Sequence, residues 1–203
     1  DVSASNSPST ISATTNGAIY QWLDCNNNYA VIQNETNQSF TPCSNGIYSV
    51  SVTQNGCTDT SNCITMNSIL STSIPDLTFE GYLISQGYDN FPDGCVLTSS
   101  ISGITNLSLN LPGISDLTGI EDFTSLEILS LNAGALTNIN LNNPNLLSLN
   151  LASTIPSNAL TSINITNLPA LTNLYISGLD NLNFTSLDVS NNLNLTQINC
   201  SYS

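Results

Sequence analysis

The chain contains no lysine, no arginine and no histidine in 203 residues, against 14 aspartates and glutamates. An ordinary globular chain is about 25% charged, so roughly two dozen basic residues would be normal at this length. Their absence removes whole classes of function. Nucleic-acid binding runs on Lys and Arg against phosphate, and attachment to anionic lipid headgroups does the same. Neither partner is expected. Ser-His-Asp and Cys-His catalysis, Schiff-base lysines, arginine fingers and imidazole metal sites cannot be assembled from this chain's own side chains. No ion pair between side chains can form. Long apolar runs are also missing: none approaches 18 residues, so no membrane-spanning helix is expected. The chain begins Asp1-Val2 with neither a basic nor an apolar leader, so any signal peptide is expected to have been removed or to lie outside this sequence.

What remains is a net charge of −14 carried by only 7% charged residues, with 40% hydrophobic residues. The surface must therefore be built from Asn, Ser and Thr with scattered carboxylates. The hydrophobic content is that of a folded chain, not a disordered one. Six cysteines are unevenly placed: Cys25, Cys43, Cys57 and Cys63 lie close together, while Cys95 and Cys200 stand apart. A dense group in a small β-rich segment reads as disulfides made in an oxidising compartment. Its spacings of 18, 14 and 6 residues contain no C-x₂₋₄-C knuckle, which argues against zinc.

The fold class is mainly β, in two parts with a change of period near residue 67. Residues 1–66 read as short strands: 9–15, 18–24, 29–33, 38–41, 47–53 and a hairpin into 57–66. In 47–53, Tyr48, Val50 and Val52 alternate with Ile47, Ser49, Ser51 and Thr53. Asn16-Gly17, Asn45-Gly46 and Asn55-Gly56 are turn signals, the last one a hairpin turn. Six or so short strands with a single Trp, Trp22, give a small Ig-like β-sandwich. After a linker at 67–73, residues 74–203 form a second domain, a leucine-rich-repeat β-solenoid. It opens with a short capping helix at about 76–86, with Asp76 as N-cap, Gly87 as C-cap and a Phe79/Leu83 pair, expected to be the only helix.

From residue 104 the unit apolar-x-x-apolar-x-apolar recurs, starting at 104, 126, 136, 146, 160, 171, 184 and 195. From 126 these starts interleave into coils of 20–25 residues with two extended segments each. Segments of 4–8 residues between units leave no room for helices. Asn143-Pro144-Asn145, Asn167-Leu168-Pro169 and Asn192-Leu193-Asn194 are read as equivalent corners.

The runs YQWLDCNNNYAVI and TNQSFTPCSNGIYSVSVTQNGCTDTSNCITM resemble Ig-like repeats of large secreted surface proteins of Bacteroidota, which are mostly adhesive or spacer modules. Residues 74–89, 114–126 and 184–200 resemble the leucine-rich repeats of the same adhesin-like proteins, where a capping helix precedes L-T-x-L-D-V-S coils. The chain departs from them in lacking Lys and Arg. In such a sandwich the Trp22 and Tyr48 strands would be antiparallel neighbours. That arrangement favours the disulfides Cys25–Cys43 and Cys57–Cys63, with Cys25–Cys63 the chief rival. Cys95 and Cys200, at opposite ends of the solenoid, are not expected to pair. Cys200 reads as a small buried residue at an apolar repeat position.

The outward positions of the second strand set form ladders: Thr137, Asn138 and Asn140; Thr161, Ser162 and Asn164; Thr185, Ser186 and Asp188. They are the candidate binding face for a glycan, a polymer or ice, with Tyr175 the one aromatic on an outer position. The same ladders would equally serve as ordinary solvation of a β face. No cofactor is required. Calcium is the one ion the carboxylates would accept, with Asp89 and Asp93 in the incomplete pattern Asp89-Asn90-x-x-Asp93-Gly94 as the candidates, beside the loop acids Asp116, Glu121 and Asp122.

No carboxylate pair or aspartic-protease signature marks an enzyme. The reading is a non-enzymatic, extracellular adhesion or display module of a larger cell-surface protein. Its expected partners are a glycan or protein on another surface, or copies of itself. The alternatives are a surface-filament segment and an accessory module of a secreted enzyme. Because the last apolar unit is followed by no capping element, the natural chain is expected to continue past residue 203. One outcome follows from composition alone: the reduced, denatured chain has no tryptic site and should stay intact by mass spectrometry after prolonged incubation with trypsin. Cleavage by pure trypsin would refute it.

Overall fold

The computed structural model describes residues 3–6, 9–67, 70–132, 134–153, 160–178 and 186–201. They fall into two compact units, Asp1–Leu70 and Ser71–Ser203.

The first unit holds β1 (Ala4–Asn6), β2 (Ile11–Ala13), β3 (Ile19–Asp24), β4 (Ala30–Val31), β5 (Ser39–Phe40), β6 (Gly46–Gln54), β7 (Cys57–Thr60) and β8 (Ile64–Met66). Two antiparallel sheets result, β1-β2-β5 and β4-β3-β6-β7, with β8 also paired to β6. The alternation in β6 buries Tyr48, Val50 and Val52, as the period of two requires. Trp22 of β3 is fully buried and stacks on Phe40 of the other sheet with centroids 5.4 Å apart, while Phe40 meets Tyr48 edge-on at 5.3 Å. The indole N–H donates to the Asn37 carbonyl at 2.9 Å, so the buried ring keeps no unpaired donor. Asn55 and Gly56 both take positive φ (53° and 79°), the geometry of a two-residue hairpin turn, and Gln54 and Cys57 pair across it.

The strand pairing expected between Trp22 and Tyr48 is present, with Asp24 opposite Tyr48. The disulfides expected from it are not. Cys25 bonds Cys63, with Cα atoms 6.4 Å apart, in place of Cys43. Cys57 is exposed and free, so Cys57–Cys63 is also corrected. The reason lies in β6. Tyr48 faces Asp24 on one flank and Ile64 on the other, so the chain neighbours of Cys25 and Cys63 share one partner on β6. Closing this loop of 38 residues restricts the unfolded chain by about 4 kcal/mol in the loop-entropy model. Cys43 and Cys95 are both disulfide-bonded.

The second unit opens with β9 (Ser71–Ser73), α1 (Leu77–Ser85), β10 (Cys95–Leu97) and α2 (Thr98–Ile101). Residues 71–73, expected as linker, are a strand antiparallel to β10. The Asp76 carboxylate caps α1 by accepting from the N–H groups of Thr78 and Phe79, both at 2.9 Å. At the other end Gly87 (φ 77°) donates to the Ile84 carbonyl and Tyr88 to that of Leu83, a Schellman closure. α2 is a second helix that the reading missed. It is a single turn of four residues, too short for any periodicity to show.

The coils follow: β11 (Asn106–Leu109), β12 (Ile128–Asn132), β13 (Asn138–Asn140), β14 (Ser148–Ala152), β15 (Ser162–Asn164), β16 (Asn173–Ser177) and β17 (Gln197–Ser201). β11, β12, β14, β16 and β17 form one parallel sheet, and β13 pairs β15 in a second. The register aligns Leu107, Leu129, Leu149, Leu174 and Ile198, and separately Ile139 with Ile163. These are the repeat positions read from the spacing. All of these but Ile198 join one apolar column that runs from Ile74 and Phe79 to Ile176, with Phe79 stacked on Phe123 at 6.0 Å. Gly119 takes φ 93°, and a Cβ there would overlap the Ser73 carbonyl and the Ile74 side chain, so the chain passes too close for any other residue.

Two details differ from the reading. The corner column is Phe123, Asn143, Leu168 and Asn192, each accepting at its carbonyl from the N–H three residues on. Asn167 is therefore displaced by one and lies exposed, because the coil ending at Leu171 places Leu168 at the buried point. Cys200 is exposed and free, not buried, as its neighbour Ile198 is also half exposed at 51%. Alkylation of the unreduced, denatured protein followed by peptide mapping should label Cys57 and Cys200 and recover a Cys25–Cys63 linked peptide. A Cys25–Cys43 peptide in its place would overturn this connectivity.

Candidate functional site

The second sheet places its outward residues in ladders, and those ladders are hydrogen-bonded to themselves. Asn138 Oδ1 accepts from Thr161 Oγ1 at 3.1 Å and Ser162 Oγ at 2.7 Å. Asn140 Oδ1 accepts from Asn164 Nδ2 at 2.9 Å, and Thr161 Oγ1 also reaches the Thr137 carbonyl at 3.0 Å. Thr137, Asn138, Asn140, Thr161, Ser162 and Asn164 are all exposed, as are Ser186 and Asp188; Thr185 lies outside the described residues. Tyr175 stands on the other sheet, half-buried, and its hydroxyl donates to Gln197 Oε1 at 2.9 Å. It does not join the ladders in one site.

Beside β13 the ladder borders an open groove of about 390 Å³, lined by Asp116, Leu117, Thr118, Glu121, Asn138, Asn140 and Asn142. Asp116 and Glu121 are the loop acids noted in the sequence, whereas nothing in the sequence singles out Thr118 or Asn142. The groove's carboxylates are fixed by local turns. Asp116 Oδ1 accepts from Thr118 N at 2.8 Å and Thr118 Oγ1 at 2.7 Å, and Glu121 Oε2 accepts from Gly119 N at 3.1 Å. Asn164 with Thr166, and Asp188 with Ser190, repeat the turn on later coils. The N–H and then the hydroxyl of Ser190 hold the Asp188 carboxyl below its ordinary range. The product is a rigid, neutral-to-acidic face of amides, hydroxyls and carboxylates, suited to the hydroxyl groups of a polar ligand.

One wall of the groove is tied to the cap. Asp76 Oδ2 accepts from Ser115 N (2.8 Å), Ser115 Oγ (2.9 Å) and Asp116 N (3.1 Å), while Oδ1 serves α1. Burial alone would raise this carboxyl. The Ser115 N–H, the Phe79 N–H, the Ser115 hydroxyl and the Asp116 N–H outweigh it, and its pKa is lowered.

Asp89 and Asp93 sit elsewhere, in the loop after α1, and the structure adds a residue the sequence reading missed. Glu80 of α1 is fully buried, and its carboxylate oxygen lies within 4.8 Å of carboxylate oxygens of both aspartates. Glu80 Oε1 accepts a short hydrogen bond from Gly94 N. Asp89 accepts from Asn90 N at 2.8 Å and Asp93 from Cys95 N at 3.1 Å. Burial raises the Asp93 carboxyl to about 6, against the Cys95 N–H, and the charges of Asp89 and Glu80 add to the rise. Burial likewise raises Asp89, with Glu80 adding to it. Asp122 is separate: its Oδ2 accepts from Thr72 Oγ1 at 2.6 Å.

These opposite shifts set a pH profile. A raised carboxyl binds its proton more tightly in the folded chain, so its contribution to stability is lost as pH rises towards 6. A lowered one, Asp76, contributes stability above its ordinary value of 3.8 and loses it as pH falls below. In chelator, the melting temperature of the solenoid unit should climb as pH falls from 7 to 5 and drop below about 3.8. Asp93→Asn should flatten the first limb and Asp76→Asn the second. A steady fall between pH 7 and pH 5 would refute the assignment.

No curated protein matches the chain. A family model described as the endo-beta-N-acetylglucosaminidase EndoS LRR domain matches residues 102–203, half of its length, and spans all five strands of the parallel sheet. The repeat spacing and the parallel register lie within that match, and the chain belongs to the family of the endo-beta-N-acetylglucosaminidase EndoS LRR domain.

Proposed function

We propose that the chain is a non-catalytic recognition module of a larger extracellular protein, binding a glycan through the groove beside β13. The observation that supports it is the groove itself. Asp116 and Glu121 stand among the amides of Asn138, Asn140 and Asn142, all on rigid backbone, in a chain that cannot supply a cationic ligand group. Such a set donates to and accepts from the hydroxyls of a neutral sugar, and its two carboxylates disfavour an anionic one. The family supports an accessory role, since its description names one domain of a glycan-cleaving enzyme. Adhesion to a glycan-coated surface uses the same groove and differs only in what the rest of the protein does. The first unit, an Ig-like spacer in this reading, holds the module away from its attachment. Two disulfide-forming cysteine pairs' worth of bonded thiols accord with an oxidising exterior. Among the described residues no helix is long and apolar enough to cross a membrane.

The groove carboxylates are each held by a neighbouring N–H in a tight turn, an arrangement for positioning and not for proton transfer. The test is a glycan array followed by calorimetry with the best binder. Asn142→Ala combined with Glu121→Gln should weaken binding at least tenfold, about 1.4 kcal/mol, with the melting temperature unchanged. Absence of any glycan binding at millimolar concentration would sink the recognition reading, and hydrolysis of the bound glycan would sink the non-catalytic one.

A further inference from the structure

We propose that Glu80, Asp89 and Asp93 form a binding site for a hard divalent cation, Ca²⁺, which clips the loop 87–94 onto the capping helix. The argument begins with Glu80. A carboxylate in the middle of a helix, fully buried beside Phe79 and Leu83, must be answered on both oxygens. Oε1 is answered by the Gly94 N–H, but Oε2 is buried with no hydrogen-bond partner. Asp89 Oδ2 is buried and unpartnered in the same way. Both residues belong to a group of three, completed by Asp93, whose carboxylate oxygens lie within 4.8 Å of one another.

Three carboxylates so close repel strongly, and the chain holds no Lys, Arg or His to offset them. Only a proton or an external cation can do so. Ligand number favours calcium: Mg²⁺ dehydrates reluctantly, demands a near-ideal octahedron and takes one or two carboxylates, whereas Ca²⁺ takes six to eight oxygens in flexible geometry. An all-oxygen donor set excludes zinc and copper as preferred occupants.

The backbone is shaped for the purpose. Gly87 and Gly94, at φ 77° and 85°, bend the loop at both ends so that its two aspartates return to α1. Gly94 also accepts from Ile74 N at 2.8 Å, so the loop is anchored to the segment that leads into the helix. Three carboxylates leave room for water or loop carbonyls to complete six to eight ligands. That places the affinity in the range of extracellular calcium modules, about 10⁻⁴–10⁻³ M.

The test uses the whole protein, stripped with chelator and titrated with CaCl₂ by calorimetry, with the melting temperature followed in parallel. One saturable site and a rise in melting temperature with calcium are expected, with Mg²⁺ at least tenfold weaker. Glu80→Gln, which keeps an acceptor for the Gly94 N–H, should weaken calcium binding at least tenfold. Asp89→Asn/Asp93→Asn, made in the loop, serves the same end if the helix variant does not fold. Asp59→Asn, on β7 of the other unit, should change nothing. No heat and no shift up to 10 mM calcium, binding retained in the loop double variant, or Mg²⁺ binding as tight as Ca²⁺ would overturn the assignment.

Discussion

A single constraint runs through the second unit: carboxylates must be held without any cationic side chain. The answer is the backbone N–H. Asp76 takes five hydrogen bonds, from Thr78 and Phe79 on one oxygen and from Ser115, its hydroxyl and Asp116 on the other. Asp116, Glu121 and Asp188 each close a tight turn in the same manner. Charge-assisted bonds of this kind are short and strong, and at Asp76 and Asp188 they favour the ionised form. Glu80 is where the solution stops halfway, with one oxygen answered and one not.

The coils are held together by neutral equivalents. Asn143 Nδ2 donates to the Ile120 carbonyl at 2.8 Å, and Asn192 Nδ2 to those of Ile165 and Leu168, both at 2.9 Å. Asn145 and Asn194 reach back one coil to Thr124 and Pro169. Each bond joins coils that the parallel sheet alone would leave linked only along one face. Amides suit the task because they carry donors into the buried corner without a charge to desolvate. At these corners Asn is thus a structural requirement before it is a surface property.

Much of this architecture was legible. The apolar unit predicted which residues would align, because a parallel sheet preserves register from coil to coil, and Asp76, Gly87 and the Asn55-Gly56 hairpin each carry a local signal that depends on few neighbours. The failures were non-local or too short. Cys25–Cys63 depends on β8 lying against β6, a pairing that no turn announces. Asn167 looked equivalent to Asn143 until the coil length put Leu168 at the corner. The candidate cation site was half visible, since Asp89 and Asp93 drew attention as a loop pattern. Glu80 did have a signal: positions 76, 79, 80 and 83 form one helical stripe, and Glu80 stands in it between residues that are buried. A charged residue in an apolar stripe is the mark of a side chain that must be answered.

The cap and the groove are joined through Asp76, and this shapes how the two sites relate. One of its oxygens fixes the first turn of α1, and the other fixes the backbone at Ser115 and Asp116, where the groove wall begins. Glu80 lies one turn further along the same helix. Whatever holds α1 in place therefore also holds the groove wall, through a carboxylate too short to absorb a displacement. The coupling needs no conformational switch. It requires only that a helix of nine residues, marginal by itself, be kept formed by what its N-cap Asp76 and its one acidic residue, Glu80, bind.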